Sequence, residues 1–112
     1  MKSKKGQALG VLGNPLKQSM SPVLHNYWIK KYNLNNYYFK FQIERINNIK
    51  TAIKTLDLKG LNVTIPFKKS IIKHVDKIDK ISEVLQAVNT INNRNGVLEG
   101  YNTDVEGFLK GL

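Results

Sequence analysis

The sequence has no cysteine, which excludes disulfides, thiolate metal sites and cysteine nucleophiles. Its two histidines, His25 and His74, are far apart and lack metal-ligand spacing, so no metal constellation is present. A Gly-rich phosphate loop is also missing, because Gly10-Val11-Leu12-Gly13 does not fit GxGxxG. No apolar run approaches the about 20 residues of a membrane span. The basic start, Met1-Lys2-Ser3-Lys4-Lys5-Gly6, is followed only by a short apolar strand, which is no secretory signal. A cytoplasmic protein is expected.

Acidic residues are scarce: eight, against 18 basic ones, for a net charge of +10. Such a balance suits nucleic acid, an anionic membrane or an acidic small substrate. Two observations argue against nucleic acid. The lysines are scattered over most expected elements, and only Arg45 and Arg94 are arginine, the side chain preferred for phosphate forks and guanine contacts. Most of this charge reads as solvated surface.

The 112 residues suffice for one domain, 1–112, with a single core. Gln7-Ala8-Leu9-Gly10-Val11-Leu12-Gly13 reads as a buried strand, and Asn14-Pro15 opens a loop. Ser21-Pro22 is a helix start, and Val23, Leu24, Tyr27 and Trp28 continue an apolar stripe to about residue 33. Tyr37, Phe39, Phe41 and Ile43 alternate as a strand; Ile46, Ile49, Ile53 and Leu56 repeat as a helix. Leu61, Val63 and Ile65 alternate again up to Pro66, which suits the first turn of a helix running to His74. That helix would carry Lys68 in its first turn, against its own dipole. Residues 76–79 read as a loop, and Ile81, Val84, Leu85 and Val88 follow helical spacing. Asn95-Gly96 between short apolar runs signals a hairpin. Thr103 or Asp104 would cap a last short helix. The order β-α-β-α-β-α predicts an α/β fold: a three-layer αβα sandwich with a mainly parallel twisted sheet and a C-terminal β-hairpin.

Four polar clusters fall at strand ends or helix starts: Ser19-Met20-Ser21, Asn62/Thr64/Lys68, Asn89-Thr90 and Asn102-Thr103-Asp104. In a parallel α/β domain such loops converge at one sheet edge, where ligands bind. They supply hydroxyls, amides, an ammonium and a carboxylate, a set that suits a small polyhydroxylated or carboxylated ligand. Each also has a plain structural reading. The serines cap and turn, Lys68 is one lysine of many, Asp104 caps a helix, and the asparagines are turn residues. Tyr27 and Trp28 read as core, and His25 as a local hydrogen-bonding group. Singly, these plain readings prevail; joint placement at one edge favours a site.

The same stretches resemble a known family. Gly13-Asn14-Pro15 with Ser19-Met20-Ser21-Pro22 and His25-Asn26 is similar to the opening motif of shikimate dehydrogenases. Asn62-Val63-Thr64-Ile65-Pro66-Phe67-Lys68 resembles their catalytic lysine motif. Ala87-Val88-Asn89-Thr90 and Gly100-Tyr101-Asn102-Thr103-Asp104 resemble the two later substrate motifs, in the same order. Gln18 stands where the family usually has histidine.

The resemblance implies roles. Ser19 and Ser21 would bind the substrate carboxylate. Thr64, Asn89 and Asp104 would contact ring hydroxyls beside Lys68. Lys68 and Asp104 would be the catalytic pair at the hydroxyl that is oxidised, in a reversible NADPH-dependent reduction of 3-dehydroshikimate to shikimate. A lysine there stabilises developing charge on oxygen and donates a proton, and Asp104 would hold it in place. Members of the family carry a second, Rossmann-type NADP-binding domain that this chain lacks. The cofactor would be NADP(H), bound mainly by that domain of the same parent protein, with no cofactor or metal site in this chain. The domain alone is expected to bind shikimate weakly, with no hydride transfer. The expected partners are shikimate or 3-dehydroshikimate, with no nucleic acid and no membrane; a homodimer of the full enzyme is compatible. Alternatives are a quinate/shikimate dehydrogenase domain, a non-catalytic binding module and, disfavoured by the scattered lysines, a nucleic-acid-binding domain.

Overall fold

The structure, a computed structural model, describes residues 7–16 and 36–104. Six strands form one mixed sheet: β1 (Gln7–Gly13), β2 (Asn36–Gln42), β3 (Leu58–Val63), β4 (Lys77–Ile78), β5 (Thr90–Arg94) and β6 (Val97–Tyr101), in the order β2-β1-β3-β5-β6-β4. β1 pairs parallel with β2 and β3, and β4 parallel with β6; β5 runs antiparallel to β3 and β6. Two α-helices accompany them, α1 (Ile49–Thr55) and α2 (Lys80–Leu85), with a 3-10 helix at Ser70–His74. The expected α/β class and mainly parallel sheet are therefore observed. The helix expected over 21–33 and the continuation beyond Asp104 lie outside the described residues, as do Ser19 and Ser21.

Alternation sets the two faces of the sheet. Leu12, Leu61, Val63, Ile91 and Leu98 turn to one face and meet Ile49 and Ile53 of α1, with Phe67 and Ile71. Val11 and Tyr38 turn to the other and pack with Leu16. Tyr38 donates to Asn62 Oδ1 at 2.6 Å, and burial pushes its phenol up to about 12. The expected hairpin is present: Asn95 and Gly96, at φ 53° and 90°, form the two-residue loop of the type I′ pattern.

Three expectations on residues 58–88 are corrected. First, β3 starts at Leu58 and ends at Val63, so Ile65 lies beyond it and is exposed. Pro66 does not begin a helix: the Ile65-Pro66 bond is cis, and Phe67 N donates to Thr64 O at 3.0 Å. The proline thus occupies the third position of a tight turn. The next helix is the 3-10 helix from Ser70, which leaves Lys68 in a turn and not under a helix dipole. Second, residues 76–79 contain the short strand β4, held beside β6.

Third, α2 inverts the expected stripe. Ser82 is buried, whereas Val84 is 70% exposed and Ile81 and Leu85 are also exposed. The Asp79 carboxylate accepts from Ser82 N at 2.9 Å, an N-cap that fixes the helix phase. Gln86 then ends the helix in the left-handed region, so the buried Val88 belongs to the following segment. The α1 stripe is real at Ile49 and Ile53, but Leu56 falls past the helix end and is exposed.

Candidate functional site

The topology brings three of the four polar clusters together, those at 62–68, 89–90 and 102–104; the Ser19-Met20-Ser21 cluster lies outside the described residues. The carboxyl ends of β1, β2 and β3 lie at one edge of the sheet. Because β5 is antiparallel, its first residue, Thr90, pairs with Asn62 of β3 and with Tyr101 at the end of β6. Asn14, Thr64, Asn89 and Asn102 therefore all leave strands at the same edge.

Backbone bonds fix these exits. Thr64 N donates to Leu12 O at 2.8 Å, and Asn14 N to Ile65 O at 3.0 Å. Asn14 also reaches β2's exit, its Nδ2 donating to Ile43 O at 3.1 Å, while Leu16 N donates to Gln42 Oε1 at 2.9 Å. On the other side Val63 N donates to Asn89 O at 2.7 Å, and Asn89 N to Tyr101 O at 2.9 Å. Val88 N donates to Lys68 O at 2.8 Å, which ties the lysine's backbone to the same loop.

Lys68, Asn89 and Asp104 meet through their side chains. Lys68 Nζ donates to Asp104 Oδ2 at 3.0 Å, and Asn89 Nδ2 to Asp104 Oδ1 at 2.8 Å. The carboxylate is thus held at both oxygens while remaining half exposed. The Lys68 hydrogen bond, then that from Asn89 and the charge of Lys68, hold the Asp104 carboxyl below its ordinary range, against partial desolvation. Thr64 is half-buried on the exit of β3, with its methyl packed over Gly13.

The sequence reading groups Asn102 and Thr103 with Asp104, as a turn residue and a candidate helix cap, and assigns neither a part in the site. Thr103 Oγ1 accepts from Asn89 Nδ2 at 3.0 Å, and Thr103 N donates to Asn89 Oδ1 at 3.1 Å. The available signal was the Asn-Thr-Asp run between a strand and a helix start, a common place for side chains to bond backbone. Among the described residues no group of three or more acidic, histidine or cysteine side chains could hold a metal. His74, in the 3-10 helix, is held toward its neutral form by burial and by the charge of Lys73.

An ammonium, a carboxylate and an amide at a sheet edge, flanked by hydroxyls, suit a small hydroxylated ligand. Residues 11–91 match the family described as the shikimate dehydrogenase substrate binding domain. The chain belongs to this family. It is 44% identical over 110 residues to a shikimate dehydrogenase (NADP(+)) of Syntrophomonas wolfei, covering 96% of this chain and 38% of that protein. The crystal structure of shikimate dehydrogenase 1 from Peptoclostridium difficile superimposes with a TM-score of 0.87 at 37% identity, over 93% of this chain and 39% of that one. Shikimate 5-dehydrogenase from Listeria monocytogenes, solved in complex with shikimate and NAD, gives 0.87 at 30% identity, over 100% and 40%. The chain thus spans about two fifths of the length of these relatives. Both their names and the family description concern the dehydrogenase whose substrate-binding part this fold matches.

Proposed function

We propose that this chain is the substrate-binding and catalytic-residue domain of a shikimate dehydrogenase, acting in reversible reduction of 3-dehydroshikimate to shikimate. The observation that carries the reading is the Lys68–Asp104–Asn89 assembly at the sheet edge. In the complete enzyme NADPH would supply the hydride. What this chain contributes is the substrate's side of the reaction.

Lys68 carries the charge and the proton. As the ketone oxygen gains negative charge, the ammonium stabilises it and donates a proton, leaving a hydroxyl. Asp104 and Asn89 hold the ammonium's place and offer acceptor and donor to neighbouring ring hydroxyls. Thr64 offers a third hydroxyl contact, and Ser19 and Ser21 take the substrate carboxylate. The reading places the protein in the cytoplasm, without membrane or nucleic-acid partners, and is compatible with a homodimer of the full enzyme; no helix among the described residues is long and apolar enough to cross a membrane.

The test is an NMR titration of the 112-residue chain with shikimate. Shifts confined to Ser19, Ser21, Thr64, Lys68, Asn89 and Asp104 and their neighbours are expected. No shifts at millimolar shikimate would overturn the assignment.

A further inference from the structure

Asn102 carries a primary amide but is only 4% exposed, one of two buried polar residues among those described. Both ends of the amide are used. Its Nδ2 donates to Ala87 O at 3.0 Å, and its Oδ1 accepts from Asp104 N at 2.9 Å. The second bond alone would be an ordinary turn at a helix start. The first bond is different, since it spans 15 residues and lands on the loop that also grips Lys68.

A closed circuit results. Lys68 O accepts from Val88 N; the adjacent Ala87 O accepts from Asn102; Asn102 accepts from Asp104 N; and the Asp104 carboxylate accepts from Lys68 Nζ. The circuit begins and ends on Lys68. Asn89 lies inside it, bonded to Asp104 by its side chain and to Tyr101 by its backbone. Asn102 is the circuit's buried side chain, while Lys68 and Asp104 reach solvent. A buried amide with both ends satisfied is rigid, and removing one partner strands the other.

We propose that Asn102 is a positioning residue for the Lys68–Asp104 pair, clamping residues 102–104 to the 87–89 loop so that the Asp104 carboxylate faces Lys68 and Asn89. Its bearing on catalysis rests on the function proposed above; the positioning itself rests on the hydrogen bonds alone. Asn102→Ala removes both bonds. Asn102→Ser keeps an oxygen able to accept from Asp104 N and loses the reach to Ala87. Lys68 is the charged group that faces Asp104 among the described residues.

The experiment follows the Asp104 side-chain carboxyl by carbon-detected NMR through an acid titration of the full 112-residue chain, with amide signals of the β5–β6 hairpin as the record of folding. In the native chain Asp104 is expected to titrate below its ordinary 3.8. Its midpoint should rise toward that value in Asn102→Ala and less in Asn102→Ser. Shikimate should bind Asn102→Ala about tenfold more weakly, the equivalent of one lost hydrogen bond. An Asn102→Ala chain that folds with Asp104 titrating as in the native chain would overturn the proposal. If that variant does not fold, Asn102→Ser decides by the same reading; if neither folds, Asn102 serves stability and the proposal falls. Failure of the native chain to bind shikimate would instead refute the functional reading, and the Asp104 comparison, which needs no ligand, would still decide the positioning.

Discussion

Gly13 ends β1 beside the exit of β3, and the space there is already taken. A Cβ built on Gly13 would meet Thr64 Cγ2 at 2.4 Å, Leu16 Cδ2 at 2.9 Å and Ile65 O at 3.1 Å. Gly13 is not among the residues at positive φ, so its backbone accepts alanine and only the space does not. Leu16 Cδ2 is the far end of a flexible side chain and can move; Thr64 Cγ2 sits one bond from a Cβ whose backbone is pinned to Leu12 O. Gly13→Ala should therefore overpack the site at about 2 kcal/mol. In a domain of this size that is roughly an 8–15 °C fall in Tm. Thr64→Ser removes the methyl and should cost about 0.8 kcal/mol alone. The double variant should melt above Gly13→Ala alone, with a coupling of about 1 kcal/mol or more. Thermal melting of the four chains measures this cycle, and a shikimate titration of the same chains reads whether displacing Thr64 weakens binding. Additivity within about 0.5 kcal/mol would show that the two residues do not compete for space and would refute the reasoning.

In a complete enzyme containing this domain, Lys68→Ala should lower kcat by roughly 10²–10⁴ while KM changes less than about tenfold; unchanged turnover would sink the assigned role. Asp76 accepts from Leu98 N at 2.8 Å and from Lys50 Nζ, and these bonds hold its carboxyl below the ordinary value of 3.8. A depressed folded-state pKa gives stability that is present above the unfolded value and lost as pH falls through the folded one. Asp76→Asn should therefore flatten the loss of Tm below about pH 4 relative to the native chain; a parallel acid limb would refute it. Gly96 sits at φ 90° with open space around its Cα. Gly96→Ala should cost about 1–2 kcal/mol from backbone conformation alone, seen as a lower Tm with unchanged shifts on adding shikimate.

The convergence was legible because parallel strands deliver their carboxyl ends to one edge: the clusters at 62–68 and 102–104 close expected strands, and the one at 89–90 opens the first strand of the hairpin. The hairpin was legible because Asn-Gly is a local signal with one geometry. What failed depended on longer-range or finer facts. The 81–88 stripe matched helical spacing, but Asp79 sets the phase by capping Ser82, and Gln86 breaks the helix before Val88. Periodicity fixes a period and not which face is buried. β4 has two residues, too few to alternate, and exists only because β6 is beside it. Pro66 is compatible with both a helix start and a turn, and sequence alone does not distinguish cis from trans.

That last ambiguity changes the account of Lys68. As a first-turn residue it would have opposed a helix dipole, a cost to be set against function. In the turn before Ser70 it has no such opponent. Its backbone is held by Val88, and its ammonium by the Asp104 carboxylate, which accepts from Asn89 while the Asp104 backbone N donates to Asn102. The geometry at Lys68 is therefore set from the β5–β6 side of the sheet as well as by the segment that carries it. A disturbance at residues 87–89 or 102–104 reaches the ammonium through two or three hydrogen bonds. Variants that impair Lys68 without touching it should therefore include residues of those two loops.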